Sequence, residues 1–70
     1  MSITELLIQY GYLTNEQYNY AYQLQQQEEL ELRKPLLQIY LQEGFLGLEH
    51  IEYCLSVRKQ YIEQGYTPSP

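Results

Sequence analysis

Two stretches of this chain match each other 33 residues apart. Gln9-Tyr10-Gly11-Tyr12-Leu13 aligns with Gln42-Glu43-Gly44-Phe45-Leu46, and the register continues with Glu16 on Glu49, Tyr20 on Tyr53, Ala21 on Cys54 and Tyr22 on Leu55. Each copy reads as a short helix, a glycine stop and a longer helix. A unit of that size cannot bury its apolar face alone, so each copy needs the other. The chain is therefore expected to be all-α: two tandem αα-hairpin repeats, four helices in all, packed as one compact unit. The expected domain spans residues 1–66, with repeats at about 2–33 and 35–65, and residues 67–70 form a flexible tail.

The helix ends are written in capping residues. Ser2 with Glu5 is a capping-box pair, and Ile3, Leu6, Leu7 and Tyr10 follow at helical spacing. Gly11 stops this helix, because glycine enters the left-handed conformation without strain. Tyr12 and Leu13 should then fold back onto the last turn. Thr14 with Gln17 opens a second helix that is expected to run to about Arg33, placing Arg33-Lys34 at the negative end of its dipole. Pro35 restricts Lys34 and reads as the first residue of a third helix. Leu36, Leu37, Ile39, Tyr40 and Leu41 give that helix a broad apolar surface before Gly44 ends it.

Phe45 and Leu46 repeat the fold-back, and Gly47 is a weaker N-cap than Thr14. The fourth helix is expected from about Leu48 to Gln64, closed by Gly65. Its buried stripe reads as Ile51, Cys54, Leu55 and Ile62, with Arg58 on the same side. In the second helix Tyr18 and Tyr22 should face the core. Alternation around Tyr18–Tyr22 resembles a strand, but the capping box before it and the Gln/Glu-rich run after it favour helix. The polar run Gln25–Glu29 is expected to project as a solvated helix end.

Charge narrows the function classes. Nine acidic residues against four basic ones give a net charge of −5, and the cations are confined to Arg33-Lys34 and Arg58-Lys59. Nucleic-acid binding depends on neutralising phosphates, so it is not expected. No apolar stretch approaches the length of a membrane span, so no insertion is expected. The first residues lack a basic start, and their apolar stretch is too short for a secretory signal. With a single Cys there is no internal disulfide framework, which suits a reducing, cytoplasmic setting.

Catalytic and metal chemistry find little to work with. His50 and Cys54 are four residues apart and could form half a metal site, but the chain has one of each, and a structural zinc takes four ligands. Cys54 aligns with Ala21, which points to a small residue filling a tight slot. Ser2, Ser56 and Ser69 have one His and no Asp to complete a triad. Glu28, Glu29 and Glu31 sit in a polar run where nothing raises a carboxyl for acid-base work. Arg58, on a mainly apolar stripe, reads as a snorkelling side chain, or else as a grip for an anion. No enzyme, cofactor or metal is expected.

The tyrosines carry more information. The chain holds nine Tyr, one Phe and no Trp. Tyr20 lies about 200° around its helix from Tyr18. Its repeat counterpart Tyr53 is likewise off the Ile51/Leu55 stripe, and Tyr61 follows two turns later. Tyrosine is enriched at binding hot spots. Tyr20, Tyr53 and Tyr61 are therefore the expected contacts of a small, non-catalytic interaction or adaptor module. The partner is another protein or a second copy, since a marginal core gains stability by covering more surface.

A helix, Gly, two apolar residues, four spacers and apolar residues four apart make a pattern that resembles the MshE N-terminal family, the tandem helical modules of type II secretion and type IV pilus ATPases. The first copy matches through Ile3, Leu7, Gly11, Leu13, Tyr18, Tyr22 and Gln25; the second through Leu36, Tyr40, Gly44, Leu46, Ile51 and Leu55. The resemblance covers about residues 2–62 and implies the four-helix fold. It also implies, by analogy, an adaptor role beside a bacterial secretion or pilus ATPase. Some members of that family bind cyclic di-GMP, using an Arg-Leu-Gly start and a terminal Gln in each copy. Here Ser2 and Pro35 stand at the Arg positions, and Thr4 and Leu37 at the following Gly. The terminal Gln is present as Gln25 and replaced by Arg58. Without guanidinium groups at the starts, bidentate contacts to phosphate or guanine are lost. The alternative function is thus a degenerate cyclic-dinucleotide site in which Gln25 and Arg58 substitute for the missing groups.

Overall fold

The structure, a computed structural model, describes residues 2–63. It is all-helical over those residues: α1 Ile3–Gln9, α2 Asn15–Gln27, a short 3-10 turn at Leu30–Leu32, α3 Leu36–Gln42 and α4 Leu48–Glu63. The expected end of the fourth helix at Gln64, its closure at Gly65 and the tail at 67–70 lie outside the described residues. No helix of the described residues is long and apolar enough to cross a membrane.

The starts and stops follow from local chemistry. Ser2 Oγ accepts the Glu5 N–H at 3.1 Å, and at Thr14 both halves of the capping box are made. After α1, Gly11 takes φ +80° and the Tyr12 and Gly11 N–H groups donate to the Leu7 and Ile8 carbonyls. After α3 the same bonds run from Phe45 and Gly44 to Tyr40 and Leu41, with Gly44 at φ +73°. Both are Schellman closures, in matching register. Leu13 and Leu46, two residues past each glycine, fold back into the core as expected.

The core is the repeat superposed on itself. Leu6 and Ile39, Leu7 and Tyr40, Leu13 and Leu46, and Ala21 and Cys54 are equivalent pairs, and all eight are buried. The principal packing runs between copies, α1 on α4 and α2 on α3. Each short helix therefore covers the long helix of the other repeat. A polar contact also crosses between the copies: the Thr4 and Tyr40 hydroxyls lie 3.0 Å apart. Burial pushes the Tyr40 phenol up, opposed by the Thr4 hydrogen bond.

Three expectations need correcting. The second helix ends at Gln27, not near Arg33, because the chain must turn back to lay α3 against α2. The turn is held by the Gln25 amide, which donates to the Lys34 carbonyl at 2.8 Å, and by Arg33 Nε, which donates to the Glu28 carbonyl at 3.3 Å. Pro35 precedes α3 as its N-cap, and the helix starts at Leu36. Finally, Leu55, Ile62 and Tyr22 are exposed, whereas Ile51 and Cys54 are buried and Arg58 is half-buried. The inward direction of α2 and α4 passes through Ala21 and Cys54, where small side chains let the neighbouring helices approach. The next residue, Tyr22 or Leu55, is turned about 100° away and emerges at the rim.

Candidate functional site

Tyr53 comes one residue before Cys54 on α4, is turned about 100° from its inward direction, and so leaves the core, 52% exposed. Its ring meets Tyr10 edge-on, centroids 5.7 Å apart at 69°, and Tyr12 at 6.4 Å and 82°. Tyr10 caps α1 and Tyr12 follows Gly11, so the left-handed turn delivers both rings to α4. Tyr12 also stacks on His50 at 4.5 Å and 30°. Edge-to-face pairs place a positive ring edge against a negative face, and each contributes about 0.5–1.5 kcal/mol beyond its area. Burial, then the neighbouring Tyr61 and Tyr53 hydroxyls, push the Tyr10 phenol up. Tyr61 thus belongs to the surroundings of Tyr10, and it is 42% exposed.

Tyr20 sits in the equivalent place on the other half. It meets Phe45 edge-on at 6.0 Å and 66°, and Phe45 is the repeat counterpart of Tyr12. Where the first cluster has Tyr10 and His50, this one has Glu43 and Gln17. Glu16, Gln17, Tyr20, Glu43 and Phe45 line an open hollow here. The three expected contacts are all accessible, but they fall into two clusters: Tyr53 with Tyr61 beside Tyr10, and Tyr20 beside Phe45. Tyr10, Tyr12, Phe45 and His50 are not among the contacts expected from the sequence. The signal for two of them was there, since residues 12 and 45 are both aromatic in a repeat that keeps Tyr at 20 and 53.

Gln25 lines a groove of about 190 Å³ between the end of α2 and α3, together with Glu28, Lys34, Gln42 and Glu43. Arg58, on α4, is not part of it. The Gln25 amide is taken by the Lys34 carbonyl, and Lys34 Nζ donates to Gln42 Oε1 at 3.2 Å. A phosphodiester entering the groove would meet the Glu28 and Glu43 carboxylates as like charges.

His50 acts as a cap. Its Nδ1 accepts the Gly47 N–H at 3.0 Å, as Gln17 Oε1 accepts from Thr14 in the first copy. Cys54 is fully buried, and burial pushes its thiol up, which disfavours the reactive thiolate. Among the described residues no three His, Cys, Asp or Glu side chains gather to hold a metal ion. No family model, curated protein or solved structure matches the chain.

Proposed function

We propose that the chain is a small non-catalytic interaction module that engages a protein partner through its half-exposed tyrosines, Tyr20, Tyr53 and Tyr61. The observation that supports this is the pre-set geometry of Tyr53, whose ring is held edge-on by Tyr10 and Tyr12 while half of it faces solvent. A ring fixed before binding loses little side-chain entropy on contact, and its hydroxyl offers a directed hydrogen bond. Tyr20 on Phe45 repeats the arrangement. The resemblance to MshE N-terminal modules suggests a secretion or pilus ATPase as the class of partner, on fold analogy alone.

The test is affinity capture from the source cells with wild type and with a Tyr20→Ala/Tyr53→Ala variant. A partner held by wild type and lost by the folded variant is the expected result. Equal capture by both would refute the tyrosine surface. The second reading, a cyclic di-GMP site using Gln25 and Arg58, rests on the family resemblance of the repeat. A calorimetric titration decides it: absence of heat at millimolar nucleotide removes it, and binding abolished by Arg58→Ala would install it.

A further inference from the structure

Leu48, Glu52, Leu55, Lys59 and Ile62 follow one another along α4 at intervals of four, three, four and three residues. At about 100° per residue they share an arc of roughly 80°. Leu48 is 55% exposed, Leu55 41% and Ile62 57%, and Glu52 and Lys59 are exposed as well. This arc is turned about 120° from Cys54, and the Tyr53 cluster lies on the far side of it. The alternating four-three interval is that of a helix seam shared by two strands. The fold itself does not require apolar side chains there. The counterparts in the first copy are Asn15, Asn19, Tyr22 and Gln26 on α2 and Glu29 just beyond it, and that half also buries its share of the core.

We infer that α4 is a self-association surface on which a second copy of this chain docks antiparallel, about a twofold axis at Leu55. In that arrangement Leu55 meets its own equivalent, and Leu48 of each copy meets Ile62 of the other. Glu52 of each copy then faces Lys59 of the other. The charges select this orientation, because a parallel pairing would set Glu52 on Glu52 and Lys59 on Lys59. Among the described residues Lys59 pairs in its own chain with Glu63, at 3.9 Å and exposed, a contact worth little that can be exchanged for a carboxylate of the second copy. An isologous contact of this kind closes on itself and makes a dimer, not a fibre. The surface is separate from the tyrosine clusters, so the two assignments stand or fall independently.

Sedimentation equilibrium of the full chain from about 1 μM to 1 mM, a range that brackets weak dimers, tests the inference. Wild type is expected to pass from monomer to dimer across that range. Leu55→Glu, at an exposed position, should leave the melting temperature of dilute protein unchanged and weaken the dimer by about tenfold or more. Glu52→Lys should also weaken it, and Glu52→Lys/Lys59→Glu should restore most of the loss. A parallel pairing would gain nothing from the double exchange. Tyr20→Ala/Tyr53→Ala should dimerise as wild type does. A monomer at every concentration overturns the proposal, as does a dimer indifferent to Leu55→Glu or one lost in the tyrosine variant.

Discussion

Gly11 and Gly44 adopt φ of +80° and +73°, and a Cβ at either would meet nothing within 4 Å. The cost of a side chain there is therefore purely conformational. Gly11→Ala and Gly44→Ala should each cost about 1–2 kcal/mol in urea denaturation, and Gly→Asn should cost less. Cys54 and Tyr40 act through protons. Burial raises both groups above their ordinary values of 9.0 and 10.0, so the folded chain keeps protons that the unfolded chain would release. Their contribution is fully present below those values and is lost as pH rises through the raised ones. Stability should therefore fall above about pH 9, and Cys54→Ala should remove the earlier part of that fall. The same substitution should be tolerated at neutral pH, because Ala21 fills the equivalent slot in the other copy. Tyr40→Phe should cost about 0.5–1.5 kcal/mol by leaving the Thr4 hydroxyl without its partner.

At the scale of the helices, the starts and glycine stops were legible because each is fixed by groups within a few residues: Ser2 with Glu5, Thr14 with Gln17, Gly11 and Gly44. The end of α2 was not. Gln25 through Lys34 carry no glycine and no early proline, and what stops the helix is a tertiary demand, met by the Gln25 and Arg33 hydrogen bonds. Leu55, Ile62 and Tyr22 were misplaced for a related reason. Apolar periodicity locates a stripe to within one residue's turn, and only the close approach at Ala21 and Cys54 says which edge faces inward. The tyrosine positions were legible off the core, while their ring partners depended on where the Schellman turns deliver residues 10, 12 and 45. Capping at the second long helix gives a direct check. His50→Gln keeps an acceptor for the Gly47 N–H and loses the Tyr12 stack; His50→Ala loses both. The alanine variant should be destabilised by about 1 kcal/mol, with glutamine falling between it and wild type in thermal melts.

For the whole molecule, the pairing of α1 with α4 and α2 with α3 makes each repeat the missing half of the other's core. Leu6, Leu7, Leu13 and Ala21 of the first copy and Ile39, Tyr40, Leu46, Ile51 and Cys54 of the second are buried in one cluster. A domain of this size buries only about 60% of its unfolded surface, and its one ion pair is exposed among the described residues. Neither half has a reserve of stability to fold alone. The intact chain should therefore unfold in a single cooperative transition. The cross-packing is tested most directly by circular dichroism of two peptides, residues 1–34 and 35–70, alone and mixed. Each alone should lack stable helix, and an equimolar mixture should recover the helical signal and a cooperative melt; a single half that melts cooperatively as a monomer would contradict it.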